Sequence, residues 1–581
     1  MAAHRGIAVP PTVLSTAQLR VVPYLATGGS MQLTKRVGTV VLVVGLVAAA
    51  CSGGSKSGSS GSTTSGGSST GTSGGSASAG TPKVGGNLIM GTEAEIDGFD
   101  PTQNRWDTTG LMYAFTVYDP LATFGNDNQV HPYLAQSIDH SADYKTWTIT
   151  LRPNVTFSNG DPLTGSDVAQ DLTAIHQSSL TGPAFNDVKS IEATGPLTVE
   201  VDCNTPWVPF PVYLTGQVGT VFDPIMLKDP NRAQHPIGTG PFILKEWEPG
   251  NHFLATRNPN YWQKGLPYLD SIEYRPIIDE QSRESSLQTG TIQLFHSSDP
   301  QATYNLKGKS GITIIDESKA VGQQSQDFIM LNTGKAPLND PTLRQALAYA
   351  TNTQQIINVI NYGLTPSSDG PFSNTGSPFH GPTGYPAYNL AKAKQLVQQY
   401  EQAHGVTSVS FQLGATNTGR TLQEAELIQS MWKQAGITTT IVQVEQSQYI
   451  LYALEGNYNA YIWRQFGDPD PDADYVWWST GTAAAEGQLA LNFARNKDPQ
   501  IQTDLDKGRS DPNEADRVAA YEDVAKRFAV DVPYLWINQT LWQIVYNSHV
   551  HGITSWTLPD GSPGVDHTIG GVFFMSHVWT S

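Results

Sequence analysis

Residues 236–262, PIGTGPFILKEWEPGNHFLATRNPNYW, constrain the fold more than any other stretch of the chain. Gly238 and Gly240 flank Thr239, and glycine there permits backbone angles that other residues avoid. Residues 242–247 and 252–256 are β-prone runs, with Pro249-Gly250 between them at the centre of a tight turn. Arg257-Asn258-Pro259-Asn260 then breaks the pattern. The stretch reads as turn, hairpin, turn. On periodicity alone it is an ordinary hairpin in a large α/β protein.

The flanking chain supports a mixed fold. Trp147, Ile149 and Leu151 alternate with Thr148, Thr150 and Arg152, as in a half-buried strand. Residues 155–157 are expected to pair with it, and Asn159-Gly160 signals a turn. Thr164 and Asp167 have capping-box spacing before a helix. Asp340-Pro341 predicts an N-cap followed by the first helical residue. Residues 389–404 predict an amphipathic helix stopped by Gly405. Residues 409–414, 421–435 and 437–444 read as strand, helix, strand, with Thr421 and Glu424 as a capping box. Strands joined by a helix in this way should lie parallel. Asp511-Pro512 is expected to start a further helix running to Phe528.

The N-terminal region has a different character. Lys35-Arg36, an apolar run over 37–50 and Cys51 describe a secretory signal with its natural start at Met31. The run is short of the roughly 20 residues that a spanning helix needs. Cys51 directly follows Ala48-Ala49-Ala50. This resembles a lipobox, although Ala48 stands where Leu is commonest, and makes Cys51 the expected lipid attachment site. Residues 52–81 are almost entirely Ser, Gly, Thr and Ala and predict a flexible tether. Gly67-Ser68-Ser69-Thr70-Gly71 matches the G-x-S-x-G hydrolase pattern, but a low-complexity tract has no strand-turn-helix elbow to present a nucleophile. With Cys51 modified, Cys203 has no partner and reads as a small buried hydrophobe. A net charge of −18 argues against nucleic-acid binding.

The order GTGPF, a strand with Lys-Glu-Trp, Pro-Gly and RNPNYW resembles the signature of family 5 solute-binding proteins, the receptors of peptide- and nickel-type ABC importers. Four more stretches fall in the family's order. They are residues 117–121 with 131–135, 146–168, 326–347 and 466–472. The resemblance covers residue 84 to the C-terminus and implies an α/β, two-lobed periplasmic-binding-protein-like fold of class II type, with a third domain and a hinged cleft. The implied division is 1–50 extension and signal, 51–81 lipidated cysteine and tether, 82–121 with 236–325 and 541–581 as a discontinuous lobe I, 122–235 as a small domain II, and 326–540 as lobe II.

The resemblance also implies a receptor rather than an enzyme, without cofactor or metal. It would be a monomer held at the outer face of the cell membrane, passing an oligo- or dipeptide to permease and ATPase subunits. A nickel chelate, an opine or an oligosaccharide are alternative solutes on the same fold. A structural surface lipoprotein and a secreted hydrolase remain as other classes. In peptide-binding relatives an aspartate shortly after a strand-ending Trp meets the ligand's ammonium. Here the Trp is Trp463; the usual acid position holds Phe466, and Asp468 is the nearest substitute. Arg464 could meet a ligand carboxylate or pair with the local acids. The segment after the first Asp-Pro maps Arg105, Trp106 and Asp107 onto the cleft. Of the adjacent Trp477 and Trp478, one should face the core; Trp478 is assigned to the cleft. Asp470 and Asp472 read as turn acids. The alternation of Asp468, Asp470, Asp472 and Asp474 fails as a calcium loop, because the required Gly and Glu are absent.

Overall fold

The computed structural model describes residues 81–316, 325–554, 556–565 and 571–581. The expected signal, Cys51 and residues 52–80 of the tether lie outside the described residues. Ala77–Ser581 form one unit built on three principal sheets. A seven-stranded mixed sheet runs in the order Phe242–Glu248, His252–Arg257, Ser271–Pro276, Asn87–Thr92, Leu294–Ser297, Gln543–Asn547, Ile312–Asp316. Its strands come from three separated parts of the chain. A four-stranded antiparallel sheet holds Ala135–His140, Thr146–Leu151, Thr198–Cys203 and Val188–Gly195. A five-stranded sheet runs Ile437–Val444, Val409–Thr416, Ala460–Gln465, Gln326–Leu331, Tyr534–Gln539. Among the described residues, no helix is long and apolar enough to cross a membrane.

The hairpin predicted at 242–256 is the edge of the large sheet. Gly250 turns it with φ +78°, and Glu95 accepts from the Trp247 indole at 2.9 Å and the Gly250 N–H at 2.7 Å. Gly238 and Gly240 are required for a reason the sequence did not suggest. Neither has a positive φ. A Cβ on Gly238 would lie 2.3 Å from the Tyr118 ring, and one on Gly240 would lie 2.3 Å from the Val117 carbonyl carbon. The backbone is pressed against residues 117–118, so absence of a side chain matters here, not torsional freedom. The same contact explains why two distant sequence stretches occur together. The buried Asp119 carboxylate accepts from Thr239 Oγ1 at 3.0 Å, Tyr261 Oη at 3.1 Å and Trp262 Nε1 at 2.9 Å. Three donors satisfy an acid that burial pushes up to about 7.

Several local expectations that rest on caps and periodicity are met. Thr164 and Asp167 form the reciprocal capping box. Asp340 caps Pro341–Ala350, and Leu390–His404 ends at Gly405 with φ +65°. Thr146–Leu151 buries every second residue, and Val409–Thr416 and Ile437–Val444 pair in parallel. Three expectations fail. Thr156 bridges Pro162, in a small loop closed by the Asn159-Gly160 turn, while Thr146–Leu151 pairs with 135–140 and 198–203. Thr418, not Thr421, caps Gly419–Gln434 by accepting from the Thr421 N–H. Asp511 ends helix Pro499–Ser510, and Asn513 caps the next helix, Glu514–Asp531. Cys203 is a buried free thiol that burial pushes up to about 12.

Gly240→Ala should destabilise by about 1–3 kcal/mol, because the methyl group has only backbone to displace. Gly250→Asn, which tolerates the left-handed region in open space, should stay within about 0.5 kcal/mol of the native chain. Urea unfolding midpoints read the difference. Equal costs would show that residues 117–118 do not pin the turn.

Candidate functional site

A cavity of about 530 Å³ lies between residues of the seven-stranded and five-stranded sheets, with a contribution from the segment that follows the four-stranded sheet. Six of the seven sequence-predicted site residues line it: Arg105, Trp106, Asp107, Trp463, Arg464 and Asp468. The first three stand at the start of helix Thr108–Val117. Asp107 is its N-cap and accepts from the Gly110 N–H at 2.8 Å. Trp106 donates to the Gly98 carbonyl at 2.8 Å and stacks on Tyr118. Across the cavity, Trp463 and Arg464 end strand Ala460–Gln465. Trp463 stacks on Tyr449 with centroids 5.5 Å apart.

The arginines at this cavity are committed within the protein. Arg105 Nε lies 3.1 Å from Asp97. Arg464 lies over the Trp542 ring at 4.3 Å, 2.9 Å from Glu93, and also bonds Ser298. Burial raises the Glu93 pKa, but Arg464 and neighbouring cationic groups outweigh it and hold the carboxyl at about 2. Arg420, on helix Gly419–Gln434, lies 3.7 Å from Asp299 and 3.8 Å from Glu424, and donates to Asn361 at 2.7 Å. Arg464–Glu93 and Arg420–Asp299 therefore join the two sheets' sides across the cavity.

The acids are not uniformly matched. Asp468 follows Phe466, which has φ +69°, and Gly467. Among the described residues, no hydrogen bond or ion pair reaches the Asp468 or Asp474 carboxylate. Burial, reinforced by Asp470, pushes Asp468 up to about 6. Asp474, 2% exposed and also at the cavity wall, is pushed well up by burial and by Asp468, Asp470 and Asp472. Burial also pushes Asp107 up to about 6, against the Gly110 N–H.

Asp470 and Asp472 do more than close turns. Asp470 accepts from the Asp472 N–H and pairs with Arg517 at 2.8 Å. Asp472 is fully buried, pairs with Arg509 at 2.9 Å and accepts from the Trp207 indole at 2.6 Å. Trp478 corrects the sequence expectation. It is 2% exposed and packs against Phe372, Phe466 and Phe528, while Trp477 reaches the cavity. On the short helix Tyr475–Trp478, successive side chains point about 100° apart, and the sequence does not say which of the two turns inward. The sequence reading also missed Arg420, Glu424, Asp474 and Tyr213 at the cavity wall. The i, i+4 pair Arg420 and Glu424 follows a parallel strand's carboxyl end, a position where α/β sheets commonly bind ligands.

Residues 129–487 match the family model described as bacterial extracellular solute-binding proteins, family 5, middle. The glutathione-binding protein GsiB of Pectobacterium atrosepticum is 25% identical over 470 residues, covering 77% of this chain and 87% of that protein. The nickel-binding periplasmic protein of Escherichia coli is 27% identical over 478 residues, covering 75% and 86%. The Helicobacter pylori periplasmic binding protein DppA, solved with the peptide STSA, superposes with a TM-score of 0.74 at 23% identity, covering 86% of this chain and 98% of that one. AgaA from Agrobacterium tumefaciens, solved with agropinic acid, also gives 0.74 at 23% identity, covering 85% and 99%.

The Asp468 environment has a pH signature. Its raised pKa means that the folded state holds the proton more tightly than the unfolded state. That contribution is full below about pH 4 and is lost as pH rises through about 6. Asp468→Asn cannot ionise, so it should raise Tm at pH 7.5 and leave Tm at pH 4.5 nearly unchanged. Calorimetry at both pH values checks this. An equal shift at both would mean that the carboxylate carries no charge penalty.

Proposed function

The chain belongs to the bacterial extracellular solute-binding proteins of family 5, and from that premise we propose that it captures oligo- or dipeptides in the cavity between its lobes. Proteins of this family are extracytoplasmic transport receptors, not enzymes, and act with an ABC permease. The observation that carries the peptide reading is the charge state of the wall. Its arginines have partners in the protein, whereas Asp468, beside the strand end at Trp463, has none among the described residues. A carboxylate shielded from water forms a strong charge-assisted hydrogen bond with an ammonium, and every unblocked peptide begins with one. Arg105, Trp106 and Asp107 form the facing wall, and Trp463 and Arg464 flank the acid.

The three sheets support a division into lobe I (82–121, 236–325 and 541–581), domain II (122–235) and lobe II (326–540). Solute that touches both lobes favours their apposition only through its differential affinity for that state, and the permease and its ATPase respond to it. The receptor acts as a monomer. Lipidated Cys51, followed by the Ser/Gly-rich stretch, keeps it at the outer face of the membrane.

Native and denaturing mass spectrometry of protein purified without refolding should release heterogeneous short peptides. A single non-peptide species would keep the receptor and discard the peptide. Asp468→Ala should weaken binding of free-amine peptides by at least about tenfold in titration calorimetry, the ~1.4 kcal/mol of one charge-assisted bond. N-acetylated peptides should bind weakly to both proteins. An unchanged affinity would remove Asp468 from the site.

A further inference from the structure

The acids at the cavity wall are Asp107, Asp327, Glu424, Asp468 and Asp474, against the cations Arg105, Arg420 and Arg464. Most of these charges are satisfied within the chain. Arg105 has Asp97, Arg464 has Glu93, and Arg420 has Asp299 and Glu424. Asp327 accepts from Asn538 at 2.8 Å and Thr540 at 2.9 Å, and Asp107 caps a helix. Asp468 and Asp474 remain. Between them in sequence, Asp470 and Asp472 each have an arginine, Arg517 and Arg509. In this stretch the chain thus compensates the two acids that turn away from the cavity and, among the described residues, leaves Asp468 and Asp474 at its wall uncompensated.

An unpartnered carboxylate that is 98% covered is costly unless something meets it. Asp474 is such a group, and the half-buried Asp468 lines the same cavity and raises the proton affinity of Asp474 further; together they call for two positive groups or donors. The surrounding wall is aromatic, with Trp463, Trp477, Tyr213 and Phe493. Such faces suit the methylenes of an alkylammonium and attract its charge. The volume lies within the roughly 300–1,000 Å³ of small-molecule pockets, which suits a short solute that meets both acids.

We propose that Asp468 and Asp474 form a two-point cation site, and that the preferred solute carries two ammonium or guanidinium groups a few carbons apart. This rests on the cavity being the solute site. A short peptide with a basic first residue and a free diamine share this chemistry.

The test is titration calorimetry on the full-length receptor with Lys-Ala, norleucyl-Ala, which lacks only the side-chain ammonium, and 1,5-diaminopentane. The expected result is Lys-Ala binding at least about tenfold tighter than norleucyl-Ala. In Asp474→Asn that ratio should fall to near one, with a Tm no lower than the native protein's. Equal binding of the two dipeptides overturns the two-point site and leaves the peptide reading standing. A ratio that survives in Asp474→Asn also overturns it. Binding of the diamine alone supports the two-point site and removes the peptide reading. Binding of none of the three overturns the two-point site.

Discussion

The pairing of Asp472 with Arg509 sets the geometry on which the cavity depends. Burying an ion pair is expensive, and its net gain over a packed apolar pair is small or negative. Its value here is positional. The Asp472 carboxylate also takes the Trp207 indole, its backbone carbonyl takes the Tyr213 hydroxyl, and Arg509 lies 3.6 Å from the Tyr475 ring centroid. Chain from the four-stranded sheet's exit is thereby fastened to chain that leaves the five-stranded sheet. With Asp470 held by Arg517, the Asp-Pro-Asp-Pro-Asp stretch has a single register. That register places Asp468 and Asp474 at the cavity and Asp472 away from it.

Asp119 does comparable work in the large sheet. One carboxylate gathers the glycine turn and the Tyr-Trp end of the hairpin stretch onto the exit of the first helix. The motif at 236–262 is thus only half of a contact whose other half lies more than a hundred residues earlier. Its glycines are a record of close approach.

This contrast marks what the sequence could convey. Signals that reside within a few residues were legible, among them the Thr164 box, the Asp340 cap, the Trp147 alternation and the parallel pair around Gly419–Gln434. The cavity wall was legible as a neighbourhood, since Trp463, Arg464, Asp468 and residues 105–107 converge on it. Choices made through space were not legible. Nothing in the local pattern distinguishes Trp477 from Trp478, or tells Asp472, which meets Arg509, from Asp474, which meets no partner among the described residues. Partner identity is set by packing between segments tens to hundreds of positions apart, and periodicity carries no information at that range.

The ion pairs that bridge the cavity have a consequence for false signals. Arg464–Glu93 and Arg420–Asp299 draw the two sides together whether or not anything lies between them. A receptor with only those contacts would present its shut form empty and trigger wasted cycles of the importer. The carboxyl groups of Asp468 and Asp474, without partners among the described residues, oppose that. Shutting over a vacant cavity removes both carboxylates from water with nothing to replace it. If these two groups take a cation, their cost in its absence would set an unloaded receptor against shutting, and so against reporting cargo it does not hold.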